Sequence, residues 1–217
     1  IRNMNNNLYK NICLICFKNL NEEISLFSFF KLNQKICFNC LNKFKIINKS
    51  IIFNNIEIHF LYEYNSFMKT LIYTYKGCYD IKLKDVFLYQ FYKQIKVKYK
   101  SYIIIFPPSY KDDDLNRGFN HIEEIVKTLN MKYEKLFYKC INYKQSDQKY
   151  ANRKNIKKII KIKDDVIITN KKYLIIDDIF TSGSTIKTIV DLLIKNHVKK
   201  ENIKALIIAK TSQNVEL

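Results

Sequence analysis

The sequence has few of the residues that make tight turns, and it has no tryptophan. Its 217 residues include three glycines, two prolines, three alanines and three arginines, whereas lysine, asparagine, isoleucine, tyrosine and phenylalanine dominate. The abundant residues have AT-rich codons, which indicates a compositional drift of the whole genome. Under such a drift a glycine or an arginine needs a stronger reason to be present. The positions that attract attention for this reason are Gly77, Gly118, Gly183, Arg117 and Arg153.

Long apolar runs and the two most familiar phosphate loops are also lacking. No run approaches the roughly 20 apolar residues that cross a bilayer, and the asparagine-rich start has no apolar core of the kind that secretory signals carry. We therefore expect a cytoplasmic protein. Neither G-x-x-x-x-G-K-[ST] nor G-x-G-x-x-G occurs, which excludes a P-loop and a dinucleotide fingerprint.

Negative charge is scarce relative to positive charge. The chain has 38 basic and 20 acidic side chains and a formal net charge of +18. Such an excess suits a polyanionic partner, most simply nucleic acid. The same excess follows from a genome that favours lysine codons, so both explanations of the charge stay open.

Four cysteines near the N-terminus form two matched pairs. Cys13 and Cys16 make one C-x2-C knuckle, Cys37 and Cys40 make a second, and twenty residues separate the pairs. Two residues between cysteines let a tight turn aim both thiolates at one ion, and two knuckles complete a tetrahedral sulfur shell. The alternatives are a disulfide pair, which a cytoplasmic chain disfavours, and redox thiols, which two matched knuckles disfavour. We therefore predict a structural zinc site.

Hydrophobic patterning predicts a larger unit behind the cysteines. The pattern predicts one or two strands over 49–63, helices over 64–75, 80–98 and 119–129, and short strands over 102–106 and 134–138. The expected organisation is a zinc-binding module over residues 1–48 and a main domain over residues 49–217.

The last third of the chain predicts a βαβ unit. Apolar strands are expected over 173–177 and 204–210, and between them an apolar stripe with helical spacing begins at Ile186. A strand, a helix and a strand at this spacing form part of a parallel sheet. The predicted fold class is therefore α/β.

The turn of that unit combines two carboxylates with a loop of small hydroxyl residues. Asp177 and Asp178 come first, and Gly183 lets the backbone approach an anion at the start of the helix. The loop hydroxyls belong to Thr181, Ser182, Ser184 and Thr185. A ligand with a phosphate at one end and a diol nearby, such as ribose 5-phosphate, fits this set. An ordinary capped helix is the alternative.

The string YLIIDDIFTSGST resembles the phosphoribosyl-diphosphate (PRPP) motif of type I phosphoribosyltransferases. By that resemblance Asp177 and Asp178 hold the ribose 2′ and 3′ hydroxyls, and residues 181–185 hold the 5′-phosphate. With Y-K-G at 75–77, R-G-F-N at 117–120, R-K-N at 153–155 and the cysteine knuckles, nearly the whole chain resembles the ComF/ComFC family of competence proteins. The resemblance implies a type I phosphoribosyltransferase-like domain behind a four-cysteine zinc module, with PRPP and Mg²⁺ as ligands.

The resemblance also gives roles to two further segments. Lys76 and Gly77 are expected where a loop bends toward the diphosphate, the glycine permitting the bend and the lysine supplying charge; a simple helix end is the alternative. Arg117 is expected to clamp diphosphate or nucleic-acid phosphate, unless it is a surface arginine. The basic run over 153–158 faces either an acidic polymer or solvent.

The chain departs from the family pattern at three places. The loop before R-G-F-N reads KDDDLN and is less basic than usual, and His121 stands where a glutamine often follows that motif. His121 is expected to be structural rather than a base. We also expect no C-terminal hood for a nucleobase.

Two functions compete on this basis. One is a DNA-handling accessory protein of natural transformation, with single-stranded DNA and other DNA-uptake or recombination proteins as partners and a PRPP-type site. The other is an active Mg²⁺-dependent phosphoribosyltransferase that acts on a nucleobase or related acceptor. A PRPP-sensing regulator is a third, weaker class.

Overall fold

The computed structural model describes residues 11–20, 34–139 and 160–211. The strands are β1 (Ile46–Phe53), β2 (Ile56–Glu63), β3 (Ile103–Ile105), β4 (Phe137–Lys139), β5 (Ile160–Ile162), β6 (Tyr173–Phe180) and β7 (Ile203–Lys210). The helices are α1 (Phe38–Leu41), α2 (Ser66–Gly77), α3 (Lys84–Phe87), α4 (Tyr92–Lys98), α5 (Lys111–Arg117), α6 (His121–Lys127) and α7 (Ser184–Lys195), with 3₁₀ turns at Ile81–Leu83 and Lys200–Asn202.

The main sheet has five strands in the order β1-β2-β7-β6-β3. The last four run parallel, and β1 pairs antiparallel with β2 through a hairpin. Asn54 and Asn55 make the turn of that hairpin with φ of 50° and 65°, the left-handed conformation that asparagine tolerates in a two-residue turn. β6, α7 and β7 form the expected βαβ unit. The predicted α/β class with a parallel sheet is therefore confirmed.

Alternating residues of the sheet serve two hydrophobic layers. On β6, Leu174 and Ile176 pack into one layer with α2, α3, α4 and α6, whereas Tyr173 and Ile175 pack into the other with α7 and β5. This alternation is the period of two that strands impose. The α7 stripe predicted from the sequence is buried at Ile186, Ile189, Val190 and Leu193.

Two elements differ from the sequence prediction. The helix expected over 80–98 is divided into a 3₁₀ turn, α3 and α4, because Val86, Phe87 and Leu88 are all buried and three consecutive buried residues do not fit one helical stripe. β6 continues three residues beyond 177, to Phe180. Asp177 pairs with Ile207 and Phe180 with Lys210, so the two aspartates lie on the strand rather than in the turn.

The cysteine module and the main domain share one hydrophobic layer. Cys13, Cys37 and Phe44 are buried in the same cluster as Leu61 and Tyr62 of β2. The boundary expected between residues 48 and 49 falls inside β1. The division into two domains stays a prediction. Cys140 and the basic run over 153–158 lie outside the described residues.

Within the described part of the chain, no helix combines the length and the apolar character that a bilayer crossing needs.

Tyr75 offers a test of how α2 is attached to α6. Its buried hydroxyl donates a 2.7 Å hydrogen bond to the His121 carbonyl oxygen, and its ring packs against Phe87 and Phe119. Tyr75→Phe keeps the ring and removes the bond, so we expect the free energy of unfolding in urea to fall by about 1 kcal/mol. The matched control Tyr73→Phe removes a hydroxyl from an exposed ring and should change nothing. Equal stability of the two variants would contradict the attachment.

Candidate anion-binding site and candidate metal centre

The two aspartates lie at the carboxyl end of β6, where ligands bind in open parallel sheets. The Asp178 side chain is 13% exposed, and its Oδ2 lies 2.6 Å from Nζ of Lys76. The other oxygen, Oδ1, accepts from the Ile179 amide at 2.9 Å. Asp177 Oδ1 accepts from the Asp178 amide at 2.9 Å. Both carboxylates are thus held at fixed orientations by backbone donors.

Asp177 and Asp178 differ in their protonation. Burial alone would raise the pKa of Asp178, but the charge of Lys76 and its hydrogen bond to the carboxylate hold that pKa well below its usual range. Burial and the neighbouring Asp178 charge raise the pKa of Asp177 to about 8. At neutral pH the site therefore offers one ionised carboxylate and one carboxyl group that is mostly protonated.

The loop after β6 leads directly into the amino terminus of α7. Thr181 and Ser182 are exposed, and Ser184 and Thr185 are half-buried in the first turn of the helix. The N-cap position is Gly183, which supplies no side-chain cap. Ser182 Oγ lies 3.5 Å from the Ser184 amide nitrogen, a distance at which a hydrogen bond is weak. The first-turn amides of a twelve-residue helix are therefore available to an anion.

Gly183 is required for two physical reasons. Its φ of +70° is left-handed, and a Cβ there would lie 2.6 Å from the Phe53 ring and 2.8 Å from the Phe180 ring. The sequence indicated only the close approach of an anion. Phe53, the last residue of β1, packs edge-to-face against Phe180 with ring centroids 5.4 Å apart. The β1–β2 hairpin therefore packs, through Phe53, against Phe180 and Gly183.

Lys76 reaches the site, but Gly77 does not make the expected bend. Both residues belong to the last turn of α2, and Gly77 is not among the residues with positive φ. The left-handed residue of this connection is Tyr79, with φ of 62°. Lys76 thus approaches Asp178 from the end of a helix rather than from a glycine loop.

Arg117 is the residue that ties α2 to α5 and α6. Its Nε donates to the Lys76 carbonyl oxygen at 3.1 Å, and one terminal nitrogen donates to Asp114 Oδ1 at 3.3 Å. Asn120 extends the network by donating to Asp114 Oδ2 at 2.8 Å. The Arg117 side chain is 10% exposed. The phosphate clamp expected of Arg117 stays a prediction, and in this structure the side chain positions the end of α2.

His121 and Lys139 lie near the aspartates and were not anticipated as site residues. Nδ1 of His121 accepts from Arg117 at 3.2 Å, because an arginine only donates, and Nε2 faces Asp178 Oδ2 at 3.9 Å. Burial and the Lys76 charge put the pKa of His121 well below its usual value, so the ring is neutral. Burial also lowers the pKa of Lys139. The sequence offered no signal for Lys139, which β4 brings in from a distant segment.

The four cysteine sulfurs converge on one point. The Sγ atoms of Cys13, Cys16, Cys37 and Cys40 all lie within 4.8 Å of one another, and the Cys16 and Cys37 sulfurs are 3.6 Å apart. A tetrahedral ion with bonds of about 2.3 Å needs sulfurs about 3.8 Å apart. The cluster is therefore compatible with zinc, and the Cys16 and Cys37 sulfurs are too far apart for a disulfide bond.

Backbone amides support the thiolate form of Cys13, whereas burial raises the pKa of Cys37 and of Cys40. Burial raises the pKa of Cys13, but backbone hydrogen bonds from Cys37, Cys16 and Ile15 outweigh it and lower that pKa to about 7. Amides that point at a sulfur favour its charged form, which is the form that ligates a metal.

Metal removal tests the cysteine cluster. We expect one zinc per chain by elemental analysis of the purified protein, and we expect Cys13→Ser with Cys37→Ser to abolish zinc binding and lower Tm. The physical reason is that three of the ligands are buried in the core shared with β2, so binding energy is folding energy. The control is Cys78→Ser, at an exposed thiol. A metal-free wild-type protein with unchanged Tm would contradict the assignment.

The raised pKa of Asp177 predicts a pH-dependent stability. A carboxyl group whose pKa rises from 3.8 unfolded to about 8 folded stabilises the fold at low pH, and this contribution is lost as pH rises from about 4 to about 8. Asp177→Asn should therefore gain stability over wild type between about pH 5 and pH 9, on the order of 4 kcal/mol. Thermal unfolding across this range measures it. Asp112→Asn, at an exposed aspartate, is the control, and parallel curves for Asp177→Asn and wild type would refute the prediction.

The chain matches no family model. It is 35% identical over 133 residues to the competence protein ComFC of Streptococcus pneumoniae (strain ATCC BAA-255 / R6), a match that covers 61% of this chain and 60% of that protein. The chain thus spans less than two thirds of the length of this relative.

Solved structures similar to this chain include purine-related phosphoribosyltransferases. A purine phosphoribosyltransferase from Pyrococcus horikoshii matches 62% of this chain and 77% of its own, at 16% identity and a TM-score of 0.38. A hypoxanthine-guanine phosphoribosyltransferase from Bacillus anthracis matches 62% and 72%, at 15% identity and 0.40. An adenine phosphoribosyltransferase (APRTase) from Giardia lamblia matches 79% and 96%, at 13% identity and 0.39. On the match to ComFC and the convergent cysteines, the resemblance to the ComF/ComFC family is confirmed.

Proposed function

We propose that this protein is a DNA-handling accessory protein of natural transformation that holds a PRPP-type ligand at the carboxyl end of β6. The observation that carries the proposal is the uncapped amino terminus of α7 next to the buried Asp177–Asp178 pair. Helix amides recognise a phosphate, and carboxylates recognise hydroxyl groups. A phosphorylated ribose presents both groups.

Each side chain at the site has a role in this arrangement. The 5′-phosphate lies against residues 181–185, where Ser182 and Ser184 add hydroxyl donors. The ionised Asp178 accepts from one ribose hydroxyl, and Asp177, as a carboxyl group near its pKa, donates to or accepts from the other. Lys76 balances the charge of Asp178 and of an incoming anion.

The residues present also fit Mg²⁺, the cation that the family resemblance implies. Its preferred ligands are oxygens, and the chain offers Asp177 and Asp178 beside the proposed diphosphate position. When bound, Mg²⁺ would neutralise diphosphate charge. Asp178 is already paired with Lys76, so most of the cation's ligands would come from the diphosphate itself.

The DNA-handling part rests on the ComFC match and on charge. The relative is named a competence protein, and this chain carries +18, enough to favour a polyanion strongly. We propose single-stranded DNA as the main partner and DNA-uptake or recombination proteins as further partners. A cytoplasmic location follows from such a role.

An active phosphoribosyltransferase is the second candidate. The observation that favours it is the intact acidic pair, which would steady the ribose as it gains positive charge. Diphosphate release from PRPP with any of a panel of nucleobases would establish this second function.

PRPP binding tests the site. Replacement of both aspartates by asparagine (Asp177→Asn with Asp178→Asn) removes the ionised acceptor, so we expect calorimetric titration with PRPP and Mg²⁺ to show an affinity at least about tenfold weaker. Affinity for single-stranded DNA should stay the same or rise, because the variant has less negative charge. Asp112→Asn with Asp113→Asn is the matched control on α5. Unchanged PRPP affinity in the aspartate pair variant would remove the site assignment.

A further inference from the structure

Lysines gather at the amino-terminal ends of three adjacent parallel strands. Ile103, Tyr173 and Ile203 are aligned across β3, β6 and β7. Lysines come just before each of these residues: Lys98 and Lys100 before β3, Lys171 and Lys172 before β6, and Lys199 and Lys200 before β7. Because the strands are neighbours about 4.8 Å apart, three lysine pairs from distant parts of the sequence meet along one edge of the sheet.

Hydrogen bonds hold these segments in place. The Ile103 amide donates to the Lys172 carbonyl oxygen at 2.8 Å. Asn170 Oδ1 accepts from the Lys199 amide and from Asn202 Nδ2, both at 3.0 Å. The segment before β6 is thereby bonded both to the one before β3 and to the one before β7. The lysines are carried on an ordered backbone rather than on independent loops.

Most of these charges are not neutralised by carboxylates within the described residues. Glu57 pairs with Lys98 at 3.2 Å and with Lys204, the second residue of β7, at 2.6 Å. The charges of these two lysines are therefore neutralised. Of the described ion pairs, none involves the other five lysines that precede these three strands, and all five are exposed. These five define what we call the lysine edge: Lys100, Lys171, Lys172, Lys199 and Lys200. By contrast, Lys76 at the opposite end of β6 is paired with Asp178.

An aromatic ring lies within this edge. Tyr102 is half-buried between Lys100 and β3, and Lys172 Nζ lies 5.9 Å from its ring centroid. A row of ammonium groups with a partly exposed aromatic ring is typical of surfaces that bind single-stranded nucleic acid, because phosphates meet the charges and a base stacks on the ring. A linear row also suits a linear polyanion.

We propose that the lysine edge binds the backbone of a single-stranded nucleic acid, at the end of the sheet opposite the phosphoribosyl site. The nature of the partner rests on the function proposed above, whereas the location rests on the lysines alone. β6 and β7 are eight residues long, which separates the two ends by about 23 Å.

A charge-neutralised variant tests the location. Lys171, Lys172, Lys199 and Lys200 are each replaced by glutamine, and binding of a fluorescent oligothymidylate of about 20 nucleotides is measured by anisotropy across a salt series. Each phosphate that the variant no longer neutralises lowers the slope of log K against log salt by about 0.7, so four such phosphates lower it by roughly 3. We expect affinity at about 0.1 M salt to fall at least about tenfold. PRPP titration should be unchanged.

The control carries the same charge change elsewhere: Lys43, Lys69, Lys111 and Lys161 are replaced by glutamine. All four are exposed, and none lies in the segments that precede β3, β6 and β7. The control should bind the oligonucleotide nearly as wild type does. An equal fall in affinity in the two variants, or a fall in the control alone, would overturn the location. A wild-type protein that fails to bind the oligonucleotide would refute the proposed DNA role instead. If the lysine-edge variant failed to bind vesicles of anionic lipid but still bound the oligonucleotide, the partner would be a membrane surface and the proposal would be overturned.

Discussion

The ion pair between Lys76 and Asp178 is the interaction on which the candidate site depends. It joins the end of α2 to the end of β6 at 2.6 Å, and it keeps one carboxylate ionised where burial alone would neutralise it. Arg117 donates a hydrogen bond to the backbone carbonyl oxygen of Lys76 and so holds the end of α2 in place. His121 faces the same carboxylate without carrying charge. A buried acid is thus held in the form that accepts hydroxyl groups, and its neighbour Asp177 takes the proton.

Strand direction decides where each kind of charge lies. All four parallel strands end at the side that carries the two aspartates and the amino terminus of α7, and three of them begin at the lysine edge. A parallel sheet therefore presents two chemically different ends. One end carries the site proposed for a phosphorylated sugar, and the other carries the surface proposed for a polyanion.

Much of the fold and part of the site could be predicted from the sequence. The βαβ unit, the α7 stripe and the cysteine knuckles follow from local patterns, because periodicity and C-x2-C spacing are properties of short segments. The length of β6 did not follow from the sequence, because it depends on which residues of β7 pair with it. The division of the helix over 80–98 did not follow either, because it depends on which residues the rest of the chain buries. Lys139 and the bonds of Arg117 were likewise beyond a local pattern, because segments distant in sequence bring these groups together. Of the two alternatives left open for Gly77, the structure has the helix end: Gly77 closes α2, and the left-handed residue of the connection is Tyr79.

Phe53 connects the cysteine cluster to the anion loop. β1 leaves the cysteine module and ends with the ring that covers Gly183, so a single strand spans the distance from the sulfur cluster to the anion loop. The cysteine cluster and the anion loop are therefore joined by one strand and one aromatic contact. A shift of β1 at the cysteine cluster would accordingly displace the ring that packs on Gly183.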